Sequence, residues 1–215
     1  IYRQAWTTAQ RVNERFLIVY LELALAKTAG ANGAWYEAFE HVSSASKLVL
    51  DRRSNYEWAL YQLAMGRYYL AQHKPDEAIG PLADALARFA EGDLPTEEAL
   101  AHFLLASAYQ SGAESAQQSD HVTRGLARAF GLESRHPLVV GLQHLSEVIV
   151  PTELEGIARE QATHLAAEIK AFEQEIPTLG RQLRQTASPA LTPRLLEVPP
   201  RLIIHTLGRT EVIMD

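Results

Sequence analysis

The chain has 215 residues, a net charge of −6 and no cysteine. The lack of cysteine excludes a disulfide scaffold, a thiolate zinc site and a cysteine nucleophile, and the acidic balance argues against direct nucleic-acid binding. Alanine and leucine together make up about 28% of the chain, an excess that favours helix. No apolar run reaches the roughly 18–20 residues of a membrane span. We therefore expect a helical, cytoplasmic protein that contacts no membrane.

Apolar residues at helical spacing begin close to the N-terminus. A first helix is predicted to end near Gly30, with a stripe made of Val12, Phe16, Val19, Leu23 and Ala26. Polar or glycine-containing breaks then delimit four further helices, at 34–50, 55–72, 75–91 and 95–110. The stretch 111–120 is rich in Gly, Ser and Gln and is predicted to be a loop, followed by a sixth helix over 121–131. Short helices joined by short polar breaks predict antiparallel helix pairs.

The helix pairs repeat with a period of about 40 residues. The dipeptides Leu25-Ala26, Met65-Gly66 and Leu105-Ala106 occupy equal positions in successive repeats, and so do Ala38 and Ala78. Small residues here have a physical reason, because two helices that cross closely leave no room for a larger side chain. Replacing Gly66 with leucine should therefore overpack the crossing and cost roughly 1–3 kcal/mol.

These residues resemble the tetratricopeptide repeat (TPR), in which Leu-Gly is followed by an aromatic residue and then by spaced Ala and Leu. The matching residues are Met65, Gly66, Tyr69, Ala78, Leu82 and Ala85 in the second unit, and Leu105, Ala106 and Tyr109 in the third. The resemblance covers residues 12–131 and implies an all-α, TPR-like right-handed superhelix of antiparallel helix pairs. The period is longer than the usual 34 residues, and in this respect the chain resembles bacterial transcriptional activators of the maltose-activator-like type.

The TPR resemblance also implies a concave groove lined by the first helix of each pair. The candidate binding residues at the family's groove positions are Tyr20, Lys27, Leu63, Arg67, Phe103, Ser107 and Gln110. Lys27 and Arg67 occupy equal repeat positions, so they should stack on one face, where they could hold an acidic or carboxylate-ended segment. Leu23 and Leu63 replace the Asn residues of the family's peptide-carboxylate clamp, which argues against a chaperone-tail partner. The alternative is that these leucines pack on the C-terminal helices and the two cations are solvated.

The pattern changes after the third unit. Residues 1–131 form the repeats, and 132–186 are predicted to form a capping helical hairpin, with one helix over 138–150 and a long one over 152–185 that Pro177 should bend or interrupt. A Pro-rich linker at 187–200 leads to a β-hairpin stub at 201–215. The stub resembles the opening of the winged-helix DNA-binding domain in antibiotic-regulator-type activators. Because the chain begins with Ile1 and ends in this stub, we expect it to be a segment of a longer protein.

Motifs for catalysis are missing from the sequence. It contains no phosphate loop, no nucleophile elbow and no His-Glu-x-x-His zinc motif. The nearest metal-like cluster is Glu160, His164 and Glu168 on one helix face, and we favour a polar face stabilised by helix pairs instead. We therefore predict no catalytic residue, no cofactor and no metal.

The sequence thus predicts a non-enzymatic interaction and regulatory module of a bacterial transcriptional regulator. It would bind a protein or peptide segment, or another domain of the same protein, and couple this binding to an attached DNA-binding domain. The alternative is a TPR scaffold that assembles a protein complex unrelated to transcription. A metal protein using Glu160, His164 and Glu168 is a third option, and the open edge of the hairpin would allow dimerisation.

Overall fold

The computed structural model describes residues 2–52, 54–112, 114–186, 203–204 and 212–213. Its elements, in chain order, are α1 (Tyr2–Val12), α2 (Arg15–Ala31), α3 (Trp35–Arg52), α4 (Asn55–Ala71), α5 (Pro75–Glu91), α6 (Pro95–Ser111), α7 (Ser115–Ala129), α8 (His136–Gly141), α9 (Gly156–Thr186), β1 (Ile203–Ile204) and β2 (Val212–Ile213). The predicted all-α, TPR-like helical-repeat architecture is confirmed. In the described part of the chain, no helix is both long and apolar enough to cross a membrane.

Several turns between successive helices share one backbone motif. Three N–H groups, those of Ala34, Lys74 and Leu94, each donate to the carbonyl oxygen five residues earlier, at 2.9, 3.0 and 3.0 Å. The residue before each of them, Gly33, His73 or Asp93, has a φ of 73°, 57° or 50°. This is the left-handed C-terminal cap that satisfies the last carbonyl groups of a helix. Prolines at the first position of α5 and α6 then start the next helix.

The chain divides into two compact units, Ile1–Phe172 and Glu173–Asp215. In the first unit each helix from α1 to α6 packs on the next one, and the pairs α2–α4 and α4–α6 are also in contact. These extra contacts stack the first helices of successive hairpins side by side. In the second unit β1 and β2 pair antiparallel, with Ile203 opposite Ile213 and Ile204 opposite Val212. The predicted linker at 187–200 and the rest of the predicted hairpin lie outside the described residues.

The hairpin crossings contain the small residues that the repeat predicts. A Cβ atom on Gly66 would lie 2.4 Å from Leu82 Cδ2, so α4 and α5 touch at this point. Ala78 of α5 is buried in the same hairpin, and Ala38 and Ala106 are buried in the first and third hairpins. The core between α4, α5 and α6 is built around Ala59, Leu63, Ala78, Leu82, Ala85, Phe89, Ala101, Leu104 and Leu105.

The N-terminal stripe does not form one buried face. Asn13 adopts a φ of 56° and separates α1 from α2, so the first predicted helix is in fact two helices. α1 packs through Ala9 against Ile18 and Leu21 of α2, while Val12 and Phe16 are exposed. A single left-handed residue was enough to redirect the chain, and nothing in the apolar spacing indicated it.

Residues 115–120 are helical, so the predicted loop at 111–120 was wrong. α7 begins at Ser115, and its buried residues are Gln118, Val122, Gly125, Leu126 and Ala129, which follow helical spacing. Gln118 is a buried polar residue whose Nε2 donates to Val148 O at 3.2 Å. The polar composition of this stretch does not predict a helix, because one of its buried positions is Gln118. The side-chain amide of Gln118 can be buried because it donates to the distant carbonyl group of Val148.

The predicted helix over 138–150 was also wrong beyond Gly141. α8 ends at Gly141, and turns extend from there to α9. His144 has a φ of 67°, which an α-helix does not tolerate. Leu142 and Ile149 are nevertheless fully buried, so this apolar run fills the core without helical periodicity. Pro177 lies inside α9 without interrupting it.

Candidate partner-binding groove

An exposed aromatic surface lies on α2, the first helix of the first hairpin. Phe16 and Tyr20 are 43% and 51% exposed. Phe16 stacks on Tyr56 of α4, with ring centroids 6.4 Å apart, and Tyr20 is close enough to Tyr56 to contribute to the raised pKa of its hydroxyl, which burial and Glu97 chiefly cause. Both residues therefore lie on the side of α2 that borders α4. We call Phe16, Tyr20 and Lys27 the α2 face.

Lys27 completes the α2 face three helical turns from Phe16. It is exposed, and the pKa of its ammonium group is lowered to about 8, first by partial loss of hydration and then by the positive charge of Arg67. Lys27 and Arg67 therefore lie near each other on adjacent helices, although no carboxylate in the described part of the chain forms an ion pair with either.

Arg67 marks the border between an open and a covered part of the groove. Its Nη2 donates to Gly141 O at 2.7 Å, and its buried Nε has no hydrogen-bond partner among the described residues. Burial lowers the pKa of its guanidinium to about 10. Burying a cation against a single neutral acceptor costs free energy, because the lost hydration is not fully replaced. The guanidinium of Arg67 can therefore still donate a hydrogen bond to a further acceptor.

Residues 141–145, which we call the plug, cover the part of the groove next to α6. A Cβ atom on Gly141 would lie 3.1 Å from Leu100 Cδ1 and 3.7 Å from Arg67 Nη2. Leu145 packs against the core beneath α4 and α6 as well as the core around α7 and α9. The chain itself therefore occupies the α6 side of the groove, and the α2 face remains open.

The predicted binding residues fall into three groups. Tyr20, Lys27 and Gln110 are exposed, while Ser107 and Arg67 are half-buried, Arg67 under the plug. Leu63 and Phe103 are buried core residues rather than groove lining. Phe103 contacts α7, because a Cβ atom on Gly125 would lie 3.0 Å from its ring. A large side chain at this position turns into the space that glycine leaves free on the partner helix.

Sequence reasoning missed Phe16 and Tyr56 as members of the site. Phe16 was assigned to a buried stripe, and Tyr56 was not considered. The signal was available, since Phe16 and Tyr56 occupy equal repeat positions, as Lys27 and Arg67 do. In stacked repeats such pairs lie on adjacent first helices, so an aromatic pair and a cation pair predict one continuous surface.

Buried polar pairs also recur at equal repeat positions in the hairpin crossings. In the first hairpin Glu22 accepts from Trp6 Nε1 at 2.8 Å and lies 2.6 Å from His41 Nδ1. In the third, His102 Nδ1 lies 2.9 Å from His121 Nδ1. These contacts tie each second helix to its first, and in the first hairpin they also hold α1.

The metal-like cluster on α9 is engaged by another side chain. Arg135 donates to both carboxylate oxygens of Glu168, at 3.1 and 2.7 Å. The described part of the chain contains no group of three His, Asp or Glu residues arranged to hold a metal ion. Glu168 therefore acts as a structural partner that joins α9 to the start of α8.

Comparisons with known proteins bear on the fold. No protein-family model and no curated protein matches the sequence. The structure is similar to that of BtubC (BKLC) from P. vanneervenii, with a TM-score of 0.56 and 18% identity over 80% of this chain and 72% of that one. It also matches a putative kinesin light chain of Podosopora anserina with nearly identical TPR-like repeats, with a TM-score of 0.47 and 21% identity over 78% and 96% of the two chains. The fold is a TPR-like helical repeat. TPR-like repeat proteins are generally scaffolds that bind protein partners.

Proposed function

We propose that this TPR-like chain is a protein-interaction module that binds a short apolar segment of a partner on the α2 face. The observation that carries the proposal is the contrast between the two sides of the groove. Next to α6 the groove is filled by the plug, whereas Phe16 and Tyr20 on α2 stay exposed. Aromatic residues at the edge of a packed apolar surface are the usual anchors of protein interfaces.

The plug indicates the chemistry of the partner. It supplies an apolar side chain, Leu145, and a carbonyl group, that of Gly141, which accepts from Arg67. Lys27 on α2 occupies the same repeat position as Arg67 on α4. A partner segment would accordingly place an apolar side chain between Phe16 and Tyr20 and a carbonyl or carboxylate oxygen against Lys27.

Peptide selection tests this proposal. Peptides selected on the protein from a displayed random library should bind Tyr20→Ala about tenfold more weakly, equivalent to about 1.4 kcal/mol. Fluorescence anisotropy with the same peptides measures the loss. Tyr36→Ala is the matched control, because Tyr36 is 79% exposed on α3 and should leave the affinity unchanged. Equal affinity of the wild type and Tyr20→Ala would refute the site.

We further propose that this module regulates transcription from the cytoplasm by coupling partner binding to a DNA-binding domain. The support is the antiparallel pairing of β1 with β2 in the segment that resembles the opening of a winged helix, preceded by the Pro-rich stretch 187–200. Dimerisation through an open strand edge would suit such a regulator.

The gene sequence beyond Asp215 provides the test. It should encode the rest of a winged-helix domain, and the full-length product should retard DNA in a gel. A continuation without such a domain would instead support a scaffold unrelated to transcription.

A further inference from the structure

A solvent-open cavity of about 550 Å³ lies where the start of α4 meets the turn between α5 and α6. We call it the Tyr56 cavity. The residues that line it are Asn55, Tyr56, Arg88, Glu91, Gly92 and Leu94. The ring of Tyr56 also stacks on Phe16, with centroids 6.4 Å apart. The Tyr56 cavity therefore borders the α2 face, and a partner segment that lies across Phe16 reaches it over this ring.

The cation in the wall of the Tyr56 cavity, Arg88, is already engaged within the protein. Its Nε donates to Asp84 Oδ1 at 3.1 Å and its Nη1 donates to Asn55 Oδ1 at 3.1 Å. Its guanidinium carbon lies 5.9 Å from the centroid of the Trp58 ring. Asp84 therefore offsets the charge of Arg88, and an incoming carboxylate would compete with acceptors that the guanidinium already has.

Two carboxylates at the Tyr56 cavity have no such counter-charge. Glu91 is exposed in the wall, and Glu97, in the first turn of α6, accepts a hydrogen bond from the neutral hydroxyl of Tyr56 at 3.4 Å. Neither forms an ion pair with a described residue. Because Asp84 offsets Arg88, these two carboxylates make the cavity negative, and its charge is complementary to that of a cation.

We propose that the Tyr56 cavity binds a lysine or arginine side chain of the same partner segment whose apolar residue contacts the α2 face, so the inference rests on the proposed function. The methylene groups of the basic side chain would cover Leu94 and the ring of Tyr56, and its charged end would pair with Glu91. Lys27 lies at the opposite end of the α2 face. The two ends of the site therefore carry opposite charges, which selects one direction for the bound segment.

Charge reversal at Glu91 tests this proposal. Peptides selected on the wild-type protein should carry a lysine or arginine at a constant distance from their apolar anchor, and Glu91→Lys should weaken their binding about five- to tenfold, because repulsion replaces the ion pair. Glu77→Lys is the matched control. It makes the same change of charge at an exposed residue in the first turn of α5, about 21 Å from Glu91 along the helix, and should leave the affinity unchanged. Peptides with norleucine in place of the basic residue should bind the wild type and Glu91→Lys equally.

A second measurement is independent of the α2 face. In an NMR titration of the full chain, millimolar acetyl-arginine amide should shift the backbone amide signals of Tyr56, Gly92 and Leu94, whereas acetyl-norleucine amide should not. Equal shifts from the two compounds would overturn the proposal, and so would selected peptides whose affinity depends on neither Glu91 nor a basic residue.

The two measurements distinguish failure of this proposal from failure of the α2 face. Peptides that depend on Tyr20 but not on Glu91 would overturn the cavity as a binding site and leave the α2 face in place. Shifts caused by acetyl-arginine amide, together with peptides that do not depend on Tyr20, would support the cavity and refute the α2 face.

Discussion

Lowering the pH from about 7.5 to about 4 is expected to remove about 3 kcal/mol of stability through the His102–His121 pair. His102 lies on α6 and His121 on α7, and their Nδ1 atoms are 2.9 Å apart. His102 is buried, and Tyr109 stacks on the ring of His121 with a centroid distance of 5.4 Å. One neutral ring can donate to the other at this distance, whereas two protonated rings would repel each other.

The sign of the effect follows from the direction of the pKa shifts. The pKa of His102 is lowered from 6.5 to about 4 by burial, by His121, and by Arg124 and Arg128, against the opposing charge of Asp120. The pKa of His121 is lowered too, chiefly by burial. Below about pH 6.5 the unfolded chain therefore binds protons that the folded chain does not bind. The contribution is complete above that pH, is lost between 6.5 and about 4, and does not change further below.

Urea denaturation at a series of pH values measures this loss. The double variant His102→Leu/His121→Leu removes the titrating pair and replaces it with apolar groups, so its stability should depend less on pH than that of the wild type. His73→Gln changes an exposed histidine and should retain the wild-type dependence. If the double variant and the wild type lose the same free energy of unfolding, the pair does not carry the effect.

Replacing Gly66 with alanine is expected to destabilise the protein by about 1–3 kcal/mol. In an exposed helix the same change usually stabilises by up to about 1 kcal/mol, because alanine has the higher helix propensity. At Gly66 the new methyl group would lie 2.4 Å from two atoms of Leu82, and Leu82 is itself fully buried. The helices must separate or Leu82 must leave its rotamer, and either response outweighs the propensity gain.

Gly80→Ala is the matched control for this prediction. Gly80 lies inside α5, and apart from its chain neighbours and its own helix backbone no described atom lies within 4 Å of a Cβ atom placed there. Pro81 follows Gly80, and proline disfavours the helical conformation of a preceding residue that carries a Cβ atom, which opposes the gain in helix propensity. The substitution should therefore change the free energy of unfolding by less than about 1 kcal/mol. Thermal or urea unfolding of both variants measures the difference. A stabilising effect at Gly66 would mean that α4 and α5 do not cross at this residue.

Spacing along the chain predicted the hairpins because their determinants are local or periodic. A small residue occupies the position of Gly66 in all three repeats and that of Ala78 in the first two. Pro75 and Pro95 mark helix starts through their own backbone chemistry. α7 was partly missed for the opposite reason. Its inward-facing Gln118 is polar, and only the carbonyl of Val148 makes its burial acceptable.

The candidate site could be predicted only in part. Tyr20, Lys27 and Arg67 were identified from the repeat register, which places them on adjacent first helices. Phe103 was assigned to the groove by the same register, but it points into the space left by Gly125. Register determines which turn of a helix a residue occupies, whereas the direction of a large side chain depends on the volume available on the facing helix.

The sequence by itself determined the repeat, the small residues at its crossings and the pair of cations on adjacent first helices. The tertiary structure decided where the groove is open. The run around Leu142 and Leu145 has no helical period, so its pattern could not predict the surface on which it would be buried. Apolar burial is not directional. The run packs where Gly141 lies against Leu100 and where Arg67 donates a hydrogen bond to Gly141 O. The α2 face stays open because the plug reaches only the α4 and α6 side of the groove.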